Sequence, residues 1–116
     1  MRSLVNQHKG ELTEDHLVVA KIILARKFVI GVSQYPKESM KRLAMYYGWN
    51  EVNGNGFECM NHFLNLENNE NVLFEGKIER GSERWKLLAT RNKYDMDLYY
   101  YALQVFAKQG STLFGR

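Results

Sequence analysis

The run at residues 28–32, Phe-Val-Ile-Gly-Val, places more constraint on the fold than any other part of the chain. In an extended conformation it has apolar side chains on both faces, which predicts a strand of a parallel sheet covered by helices. The 116 residues contain no second run of comparable quality, and Asn-Val-Leu-Phe at 71–74 is a weak candidate partner. A buried strand needs neighbours to satisfy its backbone groups. The chain is therefore expected to be a fragment of a larger fold.

Helical patterns lie on both sides of this strand. Thr13 is the predicted N-cap of a helix at 14–26, whose apolar residues recur at helical spacing. Pro36 is suited to the first turn of a second helix, and Gly48 is a typical C-terminal stop. Arg42 is expected on the polar side of this second helix. Its predicted apolar stripe consists of Met40, Leu43, Ala44 and Tyr47.

The middle of the chain differs in composition from its two ends. Residues 49–76 contain eight Asn and five Glu but no Lys or Arg, whereas residues 1–48 and 77–116 each have a net charge of +4. The Asn-Gly pairs at 53–54 and 55–56 predict turns in a long variable loop. The two basic blocks are interpreted either as solvated helix faces or as a surface for a phosphate or sulfate group. Both interpretations stay open at this stage.

Two more helices are predicted near the C-terminus. Ser82 is suited to cap a helix that includes Trp85, and a final helix is expected from Asn92 to about Lys108, ended by Gly110. Its apolar face would be formed by Leu98, Tyr101, Ala102, Val105 and Phe106. The three consecutive tyrosines at 99–101 cannot all lie on one apolar face of a helix, so some of these rings are expected to be half exposed.

Several classes of site are disfavoured by composition. Cys59 is the only cysteine, which excludes an internal disulfide and a Cys-rich zinc site. The three histidines lack metal-ligand spacing, and no apolar run is long enough to span a bilayer. A pI near 9 does not by itself indicate nucleic-acid binding. We therefore expect no metal site, no nucleic-acid partner and no membrane span in this chain.

Two blocks of sequence resemble a known family. The first runs from Leu-Thr-Glu-Asp at 12–15 through Ala20 and continues with Lys-Phe-Val-Ile-Gly-Val at 27–32 and Glu-Ser-Met at 38–40. The second is Asn-Lys-Tyr-Asp-Met-Asp-Leu-Tyr-Tyr-Tyr-Ala at 92–102, followed by Phe106 and Gln109. Together, over residues 12–110, they resemble the last third of P-loop sulfotransferase domains of the carbohydrate sulfotransferase-like family. Many members have a Glu soon after the strand glycine, where this chain has Ser33 and Gln34.

The resemblance implies an α/β fold. This chain would be the C-terminal fragment of a three-layer P-loop fold with a parallel sheet, mostly helical with one or two strands. Residues 1–116 would form a single partial domain, divided into helix–strand–helix at 12–48, a variable loop at 49–76 and C-terminal helices at 77–110. The implied activity is transfer of a sulfuryl group from 3′-phosphoadenosine 5′-phosphosulfate to a carbohydrate hydroxyl.

The chain does not contain the chemistry that such an enzyme needs. It has no glycine-rich loop followed by Lys and Ser/Thr. In the family this loop and the general base lie nearer the N-terminus, so no catalytic residue is assigned here. The isolated chain is expected to be inactive and to bind the sulfuryl donor weakly or not at all. Related enzymes bring a C-terminal loop onto the 3′-phosphate of the nucleotide. By position, the candidates for that contact are Lys77, Arg80, Gly81 and Ser82.

The alternative reading is a stand-alone helical binding module for an anionic partner, with the basic blocks and tyrosines as its surface. The isolated strand favours the sulfotransferase reading, and it also predicts self-association through that strand. The acceptor would be a carbohydrate. Eukaryotic relatives work in the Golgi lumen and bacterial ones in the cytoplasm, and the sequence does not decide between these compartments.

Overall fold

The regular elements of the structure are helices. A computed structural model describes residues 1–49, 56, 58, 59, 62 and 78–115, and over these residues it contains no strand. The helices whose bounds are described are α1 (Glu14–Lys27), α2 (Pro36–Tyr47), α3 (Glu83–Arg91) and α4 (Lys93–Thr112), and residues 56, 58, 59 and 62 are helical as well. The predicted α/β fold with a parallel sheet is therefore wrong for the described part of this chain.

The chain divides into two compact units. The first consists of Met1–Ile30 together with Ile78–Arg116, and the second is Gly31–Lys77. The boundary falls inside the segment at 12–48 that was predicted as one helix–strand–helix piece. Most of the predicted variable loop at 49–76 lies outside the described residues.

Helix α1 begins as its sequence predicts. The side chain of Thr13 accepts a hydrogen bond from the backbone N–H of His16, and His16 Nδ1 accepts one from the N–H of Thr13 at 3.0 Å. This reciprocal capping box satisfies two donors that the first turn of a helix otherwise leaves unpaired. The helix ends at Lys27, one residue later than predicted, where Phe28 adopts an extended conformation.

Helix α4 supplies the other half of the core of the first unit. Leu17 and Ala20 of α1 pack with Leu98 of α4. Half-buried apolar side chains surround them, namely Met1, Leu4, Val5, Leu24 and Tyr94. Val105 and Phe106 are buried farther along α4, as the predicted apolar face requires. The expected stop at Gly110 is wrong, since α4 continues to Thr112 with Gly110 buried inside it.

Helix α3 is short and exposed. Ser82 caps it as predicted, accepting a hydrogen bond from the N–H of Trp85 at 3.2 Å. Asn92 ends it, donating its backbone N–H and its side-chain amide to the carbonyl oxygen of Leu88 at 3.0 and 2.9 Å. None of the nine residues of α3 is buried. The helix packs against α4 and contributes little to the core.

The run at 28–32 belongs to no helix or sheet, and its first residue, Phe28, adopts an extended conformation. Gln109 Oε1 accepts a hydrogen bond from the N–H of Ile30 at 2.9 Å, and Gln109 Nε2 donates to the carbonyl oxygen of Phe28 at 2.8 Å. Ile30 and Val32 are buried, whereas Phe28 is 48 % exposed. The prediction failed because side chains supply hydrogen bonds that the sequence pattern assigned to neighbouring strands.

In the second unit, α2 has the predicted ends but a different buried face. Its first turn contains Pro36, and Gly48 follows it with φ +71°, donating its N–H to the last turn. The buried residues are Ser39 and Arg42 rather than the predicted apolar stripe, and Tyr47 is 60 % exposed. Arg42 Nε lies 3.0 Å from Glu38 Oε1, one turn earlier. Pairing of this kind makes burial of an arginine tolerable.

Candidate functional site

The candidate phosphate loop forms a turn that leads into α3. The N–H of Ser82 donates to the carbonyl oxygen of Glu79 at 3.1 Å, which closes the turn. Gly81 has φ +88°, in the left-handed region that favours glycine. Arg80, Gly81 and Ser82 are therefore held in a defined local conformation. Lys77, the fourth candidate, lies outside the described residues.

Arg80 makes contacts that the sequence reading did not anticipate. Its Nη2 donates a hydrogen bond to the hydroxyl oxygen of Tyr100 at 3.1 Å. Its guanidinium carbon lies 5.8 Å from the ring centroid of Trp85, within the range of a cation–π contact. Both aromatic residues lie in helices that the sequence predicts, but no sequence pattern indicates that they contact the same arginine. The guanidinium is exposed and oriented by these two contacts.

The charges around this loop favour an anion on one side and oppose it on the other. An arginine has five N–H donors, so one bond to Tyr100 leaves capacity for a phosphate oxygen. The N-terminus of α3 contributes a positive dipole end beside Ser82. Glu79 and Glu83 flank the turn and repel an anion. The local electrostatics are thus compatible with a contact to one phosphate group.

Two polar side chains of the resembling blocks are buried and bind backbone instead of solvent. Gln109, in the first unit, holds Phe28 and Ile30 as described above. Ser39, in the second unit, accepts from the N–H of Val32 at 2.9 Å and donates to its carbonyl oxygen at 3.0 Å. These contacts assign both side chains a structural role. Neither residue was proposed for any role from sequence, although both belong to the resembling blocks.

Other candidates from the sequence have structural partners. Asp95 lies in the first turn of α4, and its carboxylate is 2.8 Å from the amino group of Met1. Trp49 is 57 % exposed and stacks on Tyr47 with ring centroids 5.0 Å apart. Cys59 is also exposed.

Searches of the described residues for two further kinds of feature gave negative results. They contain no group of three or more His, Cys, Asp or Glu side chains placed to hold a metal ion. No helix within the described ranges has the length and apolar character to cross a membrane.

Comparison of the chain with models of protein families, with curated proteins and with solved structures found no match. Any assignment of function therefore depends on the sequence pattern and on the geometry given above.

Proposed function

We propose that this chain is the C-terminal part of a sulfotransferase domain of the carbohydrate sulfotransferase-like type. In the intact domain a sulfuryl group would pass from 3′-phosphoadenosine 5′-phosphosulfate to a carbohydrate hydroxyl. The phosphate-binding loop and the catalytic base would be contributed by residues outside this chain. The chain itself would supply scaffold and one contact to the 3′-phosphate of the donor.

The observation that supports the proposal most is the pair of bonds made by Gln109. The first resembling block includes the run at 28–32, and the second covers most of the final helix. Gln109 joins the two by binding Phe28 and Ile30 across 81 and 79 positions of sequence. Leu17, Ala20 and Leu98 join the same two blocks through apolar contact. Residues picked out by the resemblance thus pack together, as parts of one domain would.

The order of elements is a second support. The family ends with a helix, a strand, a helix that starts near a serine, a variable stretch and a final helix. The described part of the chain contains α1, the run at 28–32, α2 with Ser39 in its first turns and α4 in this order, although the run is not a strand and α3 lies between α2 and α4. Because the described residues contain no sheet, the chain agrees with the family only in the order of its elements.

Arg80 is the side chain that we assign to the donor. The 3′-phosphate does not react, so a contact to it would position the nucleotide without entering the chemistry. Tyr100 and Trp85 orient the guanidinium beside the capped start of α3. A guanidinium can bind two phosphate oxygens in parallel.

A nucleotide titration followed by amide chemical shifts tests this contact. Adenosine 3′,5′-bisphosphate is the ligand, and adenosine 5′-monophosphate is the matched control, because it lacks only the 3′-phosphate. We expect weak binding of the bisphosphate, with shifts centred on residues 80–85. Arg80→Ala should weaken it about tenfold, equivalent to ~1.4 kcal/mol. Arg91→Ala, at the opposite end of α3, should leave it unchanged.

Two results would contradict the assignment of this loop. One is equal affinity for the two nucleotides, and the other is unchanged affinity after Arg80→Ala. The assignment of the whole chain is tested separately, by the DNA sequence upstream of the codon for Met1. A reading frame with a strand, a glycine-rich loop and a following Lys and Ser/Thr is expected there. Sulfuryl transfer by this chain alone would contradict the placement of the catalytic groups elsewhere.

A second candidate function is supported by the surface of α3. Arg84, Leu87, Leu88 and Arg91 recur at helical spacing, and the two leucines are 57 % and 45 % exposed. A basic and apolar stripe of this kind suits a helical module that binds an acidic partner. Binding to polyglutamate, which has neither phosphate nor sulfate, distinguishes the two proposals. The module requires binding that is lost in Arg84→Ala with Arg91→Ala, whereas the sulfotransferase reading requires none.

A further inference from the structure

Helix α1 has two apolar faces, and the core uses one of them. Successive residues of a helix turn by about 100°. Leu17, Ala20 and Leu24 therefore share one side, which packs in the core of the first unit. Val19 and Ile22 lie on the opposite side, with Val18 at its edge. These three side chains are 46 %, 46 % and 55 % exposed.

The ends of this outer face are charged with opposite sign. Asp15, in the first turn of α1, and Arg26, in its last turn, lie on the same side as Val19 and Ile22. Among the described residues neither of these two charged side chains forms an ion pair. The positions 15, 19, 22 and 26 are separated by four, three and four residues. This is the spacing of a seam through which two helices pack side by side. We call these four residues the outer seam.

The outer seam is complementary to itself in the antiparallel sense. Positions 15 and 26 are symmetric about the midpoint between residues 20 and 21, and so are positions 19 and 22. Two copies of α1 placed antiparallel around a two-fold axis would set Val19 against Ile22 of the other copy. The same axis would set Asp15 against Arg26 at both ends. An interface made by one patch on both subunits has this self-complementary property.

From this symmetry we infer that the outer seam binds a second copy of the chain, forming an antiparallel helix pair between two protomers. Charge complementarity favours a second copy over an unrelated apolar partner, because both ion pairs and the apolar centre come from one set of four residues. A helix of 14 residues is about 21 Å long. One such pair buries less than the ~800 Å² per partner of a standard interface, so the dimer is weak and concentration-dependent.

Sedimentation velocity of the full chain at increasing concentration and low ionic strength tests the apolar centre. We expect the wild-type chain to shift from monomer to dimer. Ile22→Ser should abolish the shift while circular dichroism shows the same helix content. Leu87→Ser is the matched control, because it removes from α3 an apolar side chain that is 57 % exposed, compared with 46 % for Ile22. It should leave the dimer intact.

The charged ends provide a test that does not depend on the stability of any one variant. Asp15→Lys and Arg26→Glu each place two like-charged pairs in the dimer and should abolish it. Mixing the two variant chains restores opposite charges at both ends, so the mixture should dimerise although neither variant does so alone. This recovery is specific to antiparallel pairing of α1.

Four results would overturn the inference. A wild-type chain that stays monomeric at every concentration would mean that something other than a second copy covers the seam. A dimer that survives Ile22→Ser but not Leu87→Ser would place the interface on α3. Association beyond a dimer that persists in Ile22→Ser would point to non-specific aggregation. A mixture of the two charge variants that stays monomeric would exclude the antiparallel arrangement.

Discussion

Gln109 is buried near the end of α4, and its amide faces the backbone of the run at 28–32. It accepts from the N–H of Ile30 and donates to the carbonyl oxygen of Phe28. In a parallel sheet, one residue makes the same pair of bonds to the neighbouring strand. Its carbonyl oxygen accepts from the N–H of one residue there, and its N–H donates to the carbonyl oxygen two positions earlier. The side-chain amide thus takes the place of one residue of a neighbouring strand and satisfies the backbone of Phe28 and Ile30 without a sheet.

Gln109→Met should destabilise the first unit, because it retains the length of the side chain and removes both polar atoms. The N–H of Ile30, whose residue is 7 % exposed, would lose its partner. A buried donor left unpaired costs about 1–3 kcal/mol. We expect urea denaturation to show a loss of about 2 kcal/mol in the free energy of unfolding.

The matched control for this change is Gln104→Met, an exposed position on the same helix. It should change the free energy of unfolding by less than about 0.5 kcal/mol, as is usual for surface substitutions. An equal loss in both variants would show that the glutamine substitutions act through helix propensity and not through the bonds to Phe28 and Ile30.

For single residues, the sequence predicted helix caps well and hydrogen-bond partners distant in sequence poorly. The caps at Thr13, Gly48 and Ser82 were identified, because a cap is encoded within three or four residues of the helix end. The bond from Arg80 to Tyr100 and the clamp by Gln109 were missed. Their partners lie 20 and about 80 positions away, and no single-sequence pattern relates positions so far apart.

Among the elements, α3 and α4 differ most in how tertiary contact supports them. None of the nine residues of α3 is buried, whereas α4 buries five of its 20 residues. Short isolated helices are marginal in water, so α3 depends on its caps and on contact with α4. We therefore expect α3 to open by local fraying and α4 to open with the core of the first unit.

Ser82→Ala should expose this difference in amide hydrogen exchange. Loss of the bond from Trp85 to Ser82 removes a cap worth about 1 kcal/mol. Exchange of the α3 amides should accelerate about fivefold, since ~1.4 kcal/mol corresponds to a factor of ten. Amides in the centre of α4 should keep their rates.

Thr90→Ala is the control within the same helix, because Thr90 bonds to the carbonyl oxygen of Lys86 and caps nothing. It should leave the α3 rates within about twofold. Equal acceleration of α3 and α4 by Ser82→Ala would mean that the two helices open as one cooperative unit.

The helices were predictable and the strand was not, for a physical reason that applies to elements in general. Helical hydrogen bonds are internal to the element, so local signals predicted both ends of α1 and α2 to within one residue and the start of α3. A strand exists only with a partner, and the apolar run at 28–32 predicts extension without specifying what binds its edges. The end of α4 was misplaced because Gly110 was read as a stop, although it lies buried within the helix.

For the whole molecule, the buried apolar core of the described residues is small. In the first unit it consists of Leu17, Ala20, Ile30, Leu98, Val105 and Phe106, and in the second unit of Val32. No large side chain among the described residues is less than 2 % exposed, while Val18, Val19 and Ile22 face solvent. A chain of 116 residues can bury only a limited apolar area, so apolar side chains that stay exposed lower its stability appreciably. The isolated protein is therefore expected near the lower end of normal stability, about 5 kcal/mol.

Thermal unfolding at different protein concentrations connects this low stability to the outer seam. A partner that binds only the folded state raises the apparent stability by mass action, so a dimer makes the midpoint depend on concentration. We expect the midpoint of the wild-type chain to rise with concentration, and that of Leu87→Ser to rise in the same way. The midpoint of Ile22→Ser should stay constant, although its absolute value falls because Ile22 is partly covered within the protomer. The comparison uses the change of the midpoint with protein concentration. A lower stability of the Ile22→Ser protomer would lower the midpoint equally at every concentration, so it cannot produce the same result. Reversible scans whose wild-type midpoint is independent of concentration would show that the folded chain does not gain stability from a second copy.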